Sequence, residues 1–384
     1  MRLPKVLHLT RRYWPLEGGT ERYVGWLAEA QVRRGNRVTV GCLDRDVVKI
    51  HRARLPATEM HSGVRIRRLA GLGGHQWAVV LDVPALLSLI ASADVVHVHD
   101  LRFAFAAAVA GSAVTRRPLI LHTHGLIFHT RSMERLKRLA VAHYFGPLLQ
   151  VSNAIIAASS RSDADLLLSL RPQLESRVRV IENAIPMDRY LTIDRHPERG
   201  ELLVLGRITD SKRIDLVLRV LALMKDEKWR LTIAGSAEAR ILEGLRAVAG
   251  QLGVLDRVAF NTGISETTKD ALLSRAQLAL FPSQGEGFGL ALLEAIASGV
   301  PALAQDIPAH RLLLDPAHLT HFEDAVMASH QMRRLLGEQQ SLPALRLTSG
   351  RAQHYDLPRL VDEIEEIYQS VGLGIPTPQQ QAAR

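Results

Sequence analysis

Two glutamates flank a glycine-rich turn, Glu286 and Glu294 in EGFGLALLEAIASGVP (residues 286–301). An apolar run leads into the turn, and a helix is expected to open near Phe288. Gly287 and Gly289 let the backbone approach a ligand, and the first helical N–H groups can bind a phosphate. Two helical turns would set the acids roughly 12 Å apart. That distance suits two hydroxyl-bearing parts of one extended ligand. The plainer alternative makes Glu286 a helix-dipole partner and Glu294 a solvated residue, but Glu294 interrupts an otherwise apolar face.

A second turn, GRITDSKR (residues 206–213), puts Arg207 and Lys212 between an apolar run and a helix. Both cations could neutralise a diphosphate, each charged hydrogen bond contributing about 1.5–3 kcal/mol when shielded from water. Taken alone, such a loop is an ordinary solvated turn; beside the glutamate turn it becomes specific. In a third turn, GGTE (residues 18–21), the two glycines could bring backbone N–H groups to the same phosphates from the other domain, although a tight turn explains them equally well. It matches neither GxGxxG nor GxxxxGK[ST]. Histidines alternate at His97/His99 and at His122/His124, with His129 beyond. Paired His-x-His strands can bind metal, yet no acidic set with ligand spacing follows. His124, before Gly125 at a strand's carboxyl end, fits a polar substrate contact. His97 and His122 fit buried supports.

These turns need elements to hold them. Short β-rich runs are expected at residues 6–10, 37–43, 64–69, 94–99, 119–124, 155–158 and 178–181. A second series follows at 202–206, 229–234, 257–261, 278–282 and 301–304. Helix-period stretches such as 20–34 and 133–149 separate them. Continuous apolar runs between helices indicate parallel strands buried on both faces. The fold class is therefore α/β, with two Rossmann-like doubly wound domains, expected at 1–190 and 191–355 across a cleft. LTIDRHPERG (residues 191–200) marks the boundary. A helix at 356–372 should cross back to the first domain, and 373–384 should be a frayed tail.

Composition narrows the class. With 384 residues, 47% hydrophobic and 23% charged, the chain is too long for one core and is neither collagenous nor largely disordered. One cysteine, Cys42, excludes an internal disulfide framework. No apolar run reaches a spanning length, and Arg11 and Arg12 interrupt any signal-peptide core. The expected location is the cytoplasm. The +9 net charge favours an anionic partner. Arg131, Arg135 and Arg138 share one helical face, with Met133, Leu136 and Leu139 beside it, which suits an anionic membrane surface and equally the solvated face of a core helix; the net charge favours the membrane.

Taken in order, GGTE, GRITDSKR and EGFGLALLEAIASGVP resemble the retaining GT-B glycosyltransferases of family four, over nearly the whole chain. HTHGLIFHT, WRLTIAG and DIPAHRLLL are similar to GDP-mannose-dependent mannosyltransferases acting on lipid-linked cellobiose in exopolysaccharide assembly. The resemblance implies roles. Arg207 and Lys212 would grip the donor diphosphate, with Gly19 facing it. Glu286 would hold hydroxyls of the transferred sugar, and the amides of Gly287, Phe288, Gly289 and Leu290 would meet sugar and phosphate. Glu294 would bind the ribose, Ile264 would lie near the base, and His124 near the reacting centre. It also implies a nucleotide-sugar donor, a polyprenyl-diphosphate-linked acceptor, no cofactor or metal, and no nucleic-acid partner. Attachment would be peripheral, on the inner face of the inner membrane. One departure is Asn183-Ala184-Ile185-Pro186, where the family has Asn-Gly; Ala184 cannot take a left-handed turn as cheaply as glycine. Rival readings are a GT-B nucleotide-sugar epimerase, a His-x-His metallohydrolase and a non-catalytic anion-binding protein. The last leaves the two glutamates unexplained, since carboxylates repel phosphate.

Overall fold

The computed structural model describes residues 3–16, 18–45, 54–73, 78–99, 101–125, 134–225, 227–337 and 349–373. It divides into two compact units: Met1–Ala184 with Tyr355–Arg384, and Ile185–His354. The division at Ala184/Ile185 precedes the expected 190/191 because the short helix Met187–Leu191 is tied to the second unit. Arg189 there pairs with Asp270 at 3.0 Å, and the Tyr190 hydroxyl accepts from Lys269 Nζ at 3.0 Å.

Among the described residues the first unit has ten strands: β1 (Lys5–Leu9), β2 (Arg37–Leu43), β3 (Thr58–His61), β4 (Val64–Leu69), β5 (Gly71–Gly73), β6 (Ala78–Val80), β7 (Val95–His99), β8 (Leu119–His122), β9 (Ile155–Ala158) and β10 (Val178–Val180). The main sheet runs β10-β9-β8-β7-β1-β2-β4-β3, while β5 and β6 form a separate pair. The pairs along it are parallel except β3 with β4. Edge strand β3, Thr-Glu-Met-His, was invisible to a search for apolar runs because it is only half covered. Apolar residues of β1, β7, β8 and β9 pack with Phe103, Phe105 and Phe145 into the core.

The second unit holds β11 (Glu201–Leu205), β12 (Arg230–Ala234), β13 (Val258–Asn261), β14 (Leu278–Phe281), β15 (Ala302–Gln305) and β16 (Leu319–Thr320). All are parallel, in the order β13-β12-β11-β14-β15-β16. Strand order reverses between β11 and β14 here, and between β1 and β7 in the first unit. Crevices outside the carboxyl ends of strands open at such switch points. The turns after β1, β11 and β14 are the three singled out by sequence.

Three local expectations shift. The helix expected near Phe288 opens at Leu290, because Gly289 takes φ +97° as its cap, a left-handed conformation that favours glycine. The stretch expected as one helix at 133–149 is Glu134–Ala140, a π-helical Val141–Phe145 and Gly146–Val151. Pro147, with no N–H to donate, follows the change of register. Ala184 has no positive φ and is fully buried, so the Asn-Ala junction forms without the left-handed turn. The helix Leu357–Ser370, capped by the Asp356 side chain at Leu357 N (2.8 Å), belongs to the first unit. Among the described residues no helix is long and apolar enough to cross a membrane.

Candidate functional site

In the second unit, β11 ends at Gly206 and β14 ends just before the glutamate turn, and the two strands are neighbours. Gly235, at the end of β12, packs against this junction so closely that a Cβ would lie 1.9 Å from the Gly206 oxygen. The β11 turn thus rests on backbone. Arg207 is exposed at its start. Lys212 closes a short 3-10 turn, and its ammonium forms an ion pair and hydrogen bond with Glu286 Oε1. Two motifs 74 positions apart therefore meet through their side chains. Lysine has three N–H donors, so the pair leaves it capacity for further acceptors.

Burial pushes the Glu286 carboxyl up, but Lys212, His310 and a Ser283 hydrogen bond outweigh that and hold it below the usual range. It is ionised near neutrality. His310 is a residue that sequence reading missed. It is fully buried, its Nδ1 donates to the Gln305 carbonyl at 2.8 Å, and a Cβ on Gly289 would lie 3.6 Å from its ring. Burial lowers its pKa despite the nearby Glu286. A neutral ring with Nδ1 protonated directs a lone pair at Nε2, and its position inside the apolar-looking DIPAHRLLL gave little sign of this.

Glu294 lies in the helix Leu290–Ala297 with no exposed surface, so it is not a solvated helix residue. Its Oε2 is 3.5 Å from Lys269 Nζ. That lysine, 3% exposed, also reaches Glu266 at 2.9 Å and Tyr190 Oη at 3.0 Å. Sequence reading missed Lys269 as well, because Glu-Thr-Thr-Lys-Asp looks like a solvated helix start. Ile264 is half-buried in the loop before that helix. Phe288 is buried and Gly287, Gly289 and Leu290 are partly covered.

In the first unit the helix Gly19–Arg33 begins at Gly19, which is exposed, so its first-turn N–H groups lie at the sheet's switch point. Arg12 and Glu21 form an ion pair at 3.6 Å beside it. The histidines gather on one face. Parallel register sets His8 beside His97 and His99 beside His122, and alternation puts His97 with His99. His8, His97, His99 and His122 are fully buried, as sequence suggested for His97 and His122. Burial depresses all four, His8 to about 4.

His124 extends beyond β8, half-buried and left-handed at φ +46°. Its turn is clamped: His124 N donates to Ser159 Oγ at 2.9 Å, and Gly125 N and Thr123 Oγ1 donate to Asp163 Oδ2 at 2.9 and 2.7 Å. These bonds hold a non-glycine residue in a strained backbone region. Two trios, His8/His97/His99 and His99/His122/His124, each bring three ring nitrogens within 4.8 Å. His99 spends its nitrogens on His8 and His124, both at 2.9 Å. His129, Arg131 and Met133 lie outside the described residues.

Residues 17–189 match the model described as Glycosyltransferase Family 4, and residues 193–346 that of Glycosyl transferases group 1. The GDP-mannose:cellobiosyl-diphosphopolyprenol alpha-mannosyltransferase of Xanthomonas campestris is 32% identical over 310 residues, 79% of either chain. The Komagataeibacter xylinus protein of the same name is 29% identical over 99% of this chain and 96% of its own. Among solved structures, Anabaena HepE in complex with UDP-glucose superposes with a TM-score of 0.75 at 16% identity, covering 95% of this chain and 99% of that one. Sucrose-phosphate synthase from Thermosynechococcus elongatus gives 0.71 at 17%, covering 96% and 99%. Two parallel α/β units, the motif order and these relatives agree: the chain belongs to glycosyltransferase family four and is a glycosyltransferase of GT-B fold.

Proposed function

We propose that the protein transfers mannose from GDP-mannose, with retention at the anomeric carbon, to a polyprenyl-diphosphate-linked oligosaccharide during exopolysaccharide assembly. The carrying observation is the 32% identity, across 79% of both chains, to mannosyltransferases named for a cellobiosyl-diphosphopolyprenol acceptor. The site's electrostatics support transfer from a nucleoside diphosphate. Arg207, Lys212 and the first N–H groups of the helix Leu290–Ala297 give a fixed positive potential where a leaving diphosphate gains charge. Glu286, ionised and held by Lys212, is an acceptor for sugar hydroxyls. Gly287, Phe288, Gly289 and Leu290 offer amides to sugar and phosphate, Glu294 takes the ribose, Ile264 the base, and Gly19 the diphosphate. His124 meets the sugar near the reacting carbon.

In this reading the acceptor oxygen attacks the anomeric carbon on the face the phosphate leaves. The carbon–phosphate-oxygen bond breaks, and the acceptor proton passes to the departing phosphate. No dedicated protein base and no metal are required. The acceptor's lipid implies work at an anionic inner-leaflet surface. Arg135, Arg138 and Leu139 are exposed in the helix Glu134–Ala140, consistent with docking there.

The test incubates the protein with a panel of nucleotide sugars and a lipid-linked disaccharide and identifies products by mass and anomeric configuration. A mannosyl trisaccharide-lipid of α configuration is expected. Transfer from a different donor would revise the donor, and a free epimerised nucleotide sugar formed without acceptor would replace the reading with an epimerase.

A further inference from the structure

The buried histidines of the first unit form a directed chain. His8 Nε2 lies 2.8 Å from Gln31 Oε1, His8 Nδ1 lies 2.9 Å from His99 Nε2, and His99 Nδ1 lies 2.9 Å from His124 Nε2. Gln31, His8 and His99 have no exposed surface. We propose that Gln31 acts as a positioning residue that sets the tautomer of His124 through His8 and His99, keeping Nε2 protonated and Nδ1 as the lone-pair nitrogen.

The direction follows from the number of protons each ring carries. Burial keeps His8 and His99 neutral near pH 7, with His8 pushed down to about 4. A neutral imidazole has one N–H and one lone pair. The Gln31 carbonyl oxygen only accepts, so His8 Nε2 must carry the proton. His8 Nδ1 is then an acceptor, and His99 Nε2 must donate to it. His99 Nδ1 becomes the next acceptor, so the proton between it and His124 belongs to His124 Nε2. Rotating the Gln31 amide by half a turn would reverse all three bonds. As placed, Gln31 Nε2 faces Tyr368 Oη at 3.4 Å, and that hydroxyl, accepting from the amide, can donate to His97 Nδ1 at 2.8 Å. The helix Leu357–Ser370 supplies Tyr368, so that helix meets the amide at which the chain of bonds starts.

In the neutral ring this leaves the lone pair of His124 on Nδ1, which accepts from a hydroxyl and cannot donate. The consequence for transfer rests on the proposed contact between His124 and a sugar hydroxyl; the tautomer does not. Uniformly ¹⁵N-histidine-labelled full chain, read by long-range proton–nitrogen correlation, reports each ring's tautomer. Wild type should show His124 protonated at Nε2 only, and protonation at Nδ1 would overturn the proposal. Gln31→Met, close in volume but unable to accept, should mix the two tautomers and lower kcat about tenfold, the cost of roughly one hydrogen bond. His8→Phe cuts the chain one link nearer and should do the same. The double variant should do no more, since both act through one path. A wild-type tautomer in Gln31→Met would overturn the proposal, as would additive losses in the double variant. If a variant does not fold, the wild-type spectrum still decides. Absence of transfer from every nucleotide sugar would fail the functional reading alone and leave the spectrum to judge this one.

Discussion

The turn after β8 in the first unit and the paired turns after β11 and β14 in the second position their side chains by opposite means. Around His124 the supports carry little charge: imidazoles, a glutamine, tyrosines, and the Asp163 carboxyl, pushed up by burial and bound by Thr123 and Gly125. Around Glu286 and Glu294 they are ionic: Lys212 on one and Lys269 near the other. A neutral network fixes direction and tautomer at little electrostatic cost, whereas an ionic one stores the potential needed where charge develops. The same class of sheet therefore carries two kinds of machinery.

The largest expected effect probes the ionic side. Lys269→Ala takes the cation from a carboxylate with no exposed surface and should destabilise the second unit by about 3–5 kcal/mol, the usual scale for breaking a buried pair. Denaturant midpoints measure it; a loss under 1 kcal/mol would mean that Glu294 does not depend on that lysine. Next, Arg207→Ala and Lys212→Ala should each keep the fold and cut turnover by about two to three orders of magnitude. Near-normal activity in the double variant would remove the ionic site from the chemistry. Within that site, Glu294→Ala should chiefly weaken nucleotide binding and Glu286→Ala chiefly lower the chemical rate, because ribose contacts stay uniform through the reaction. The reverse pattern in kcat and KM would exchange their roles.

Acid separates the two regions. In the unfolded chain His8 takes a proton near 6.5, but in the fold only near 4. As pH falls between these values the unfolded state binds more protons, so stability is lost across that window, by about 3 kcal/mol for His8 alone. Glu286 loses its contribution in the same direction but in a lower window: its carboxyl is held below 4.5, so the contribution is intact above that value and is lost only at lower pH. Hydrogen exchange followed from pH 7 to 4 should show β1, β7 and β8 loosening before β11 and β14. Simultaneous loosening would erase the contrast. The smallest effect concerns the surface. Changing Arg131, Arg135 and Arg138 together to Glu should abolish salt-sensitive pelleting with anionic liposomes, each cation contributing roughly 1 kcal/mol. Equal pelleting of wild type and variant would remove that helix as the docking face.

Much of this was legible in residue order. Apolar runs located the strands from β7 to β10 and from β11 to β15 within a residue or two, and Gly-rich turns at their ends located Gly19, Lys212 and Glu286. What escaped had a shared physical cause: its sequence signal was ordinary. Edge strand β3 is mostly polar, His310 lies just before the apolar run 312–314, and Lys269 lies among charges that read as solvated. His124 could be chosen because a histidine before glycine at a strand end is unusual; the left-handed φ that aims it could not.

By itself, then, the sequence determined the alternation of strands and helices, the faces of each strand and the chemistry available in each turn, since these depend on periodicities of two and 3.6 and on side-chain type. Only tertiary structure decided which residues meet. Placing His8 beside His97 needs the register of β1 on β7, and bringing Lys212 to Glu286 needs β11 and β14 to be neighbours although β12 and β13 intervene in the chain. Pairing across a sheet is set by the packing of the whole core, and no local spacing encodes it.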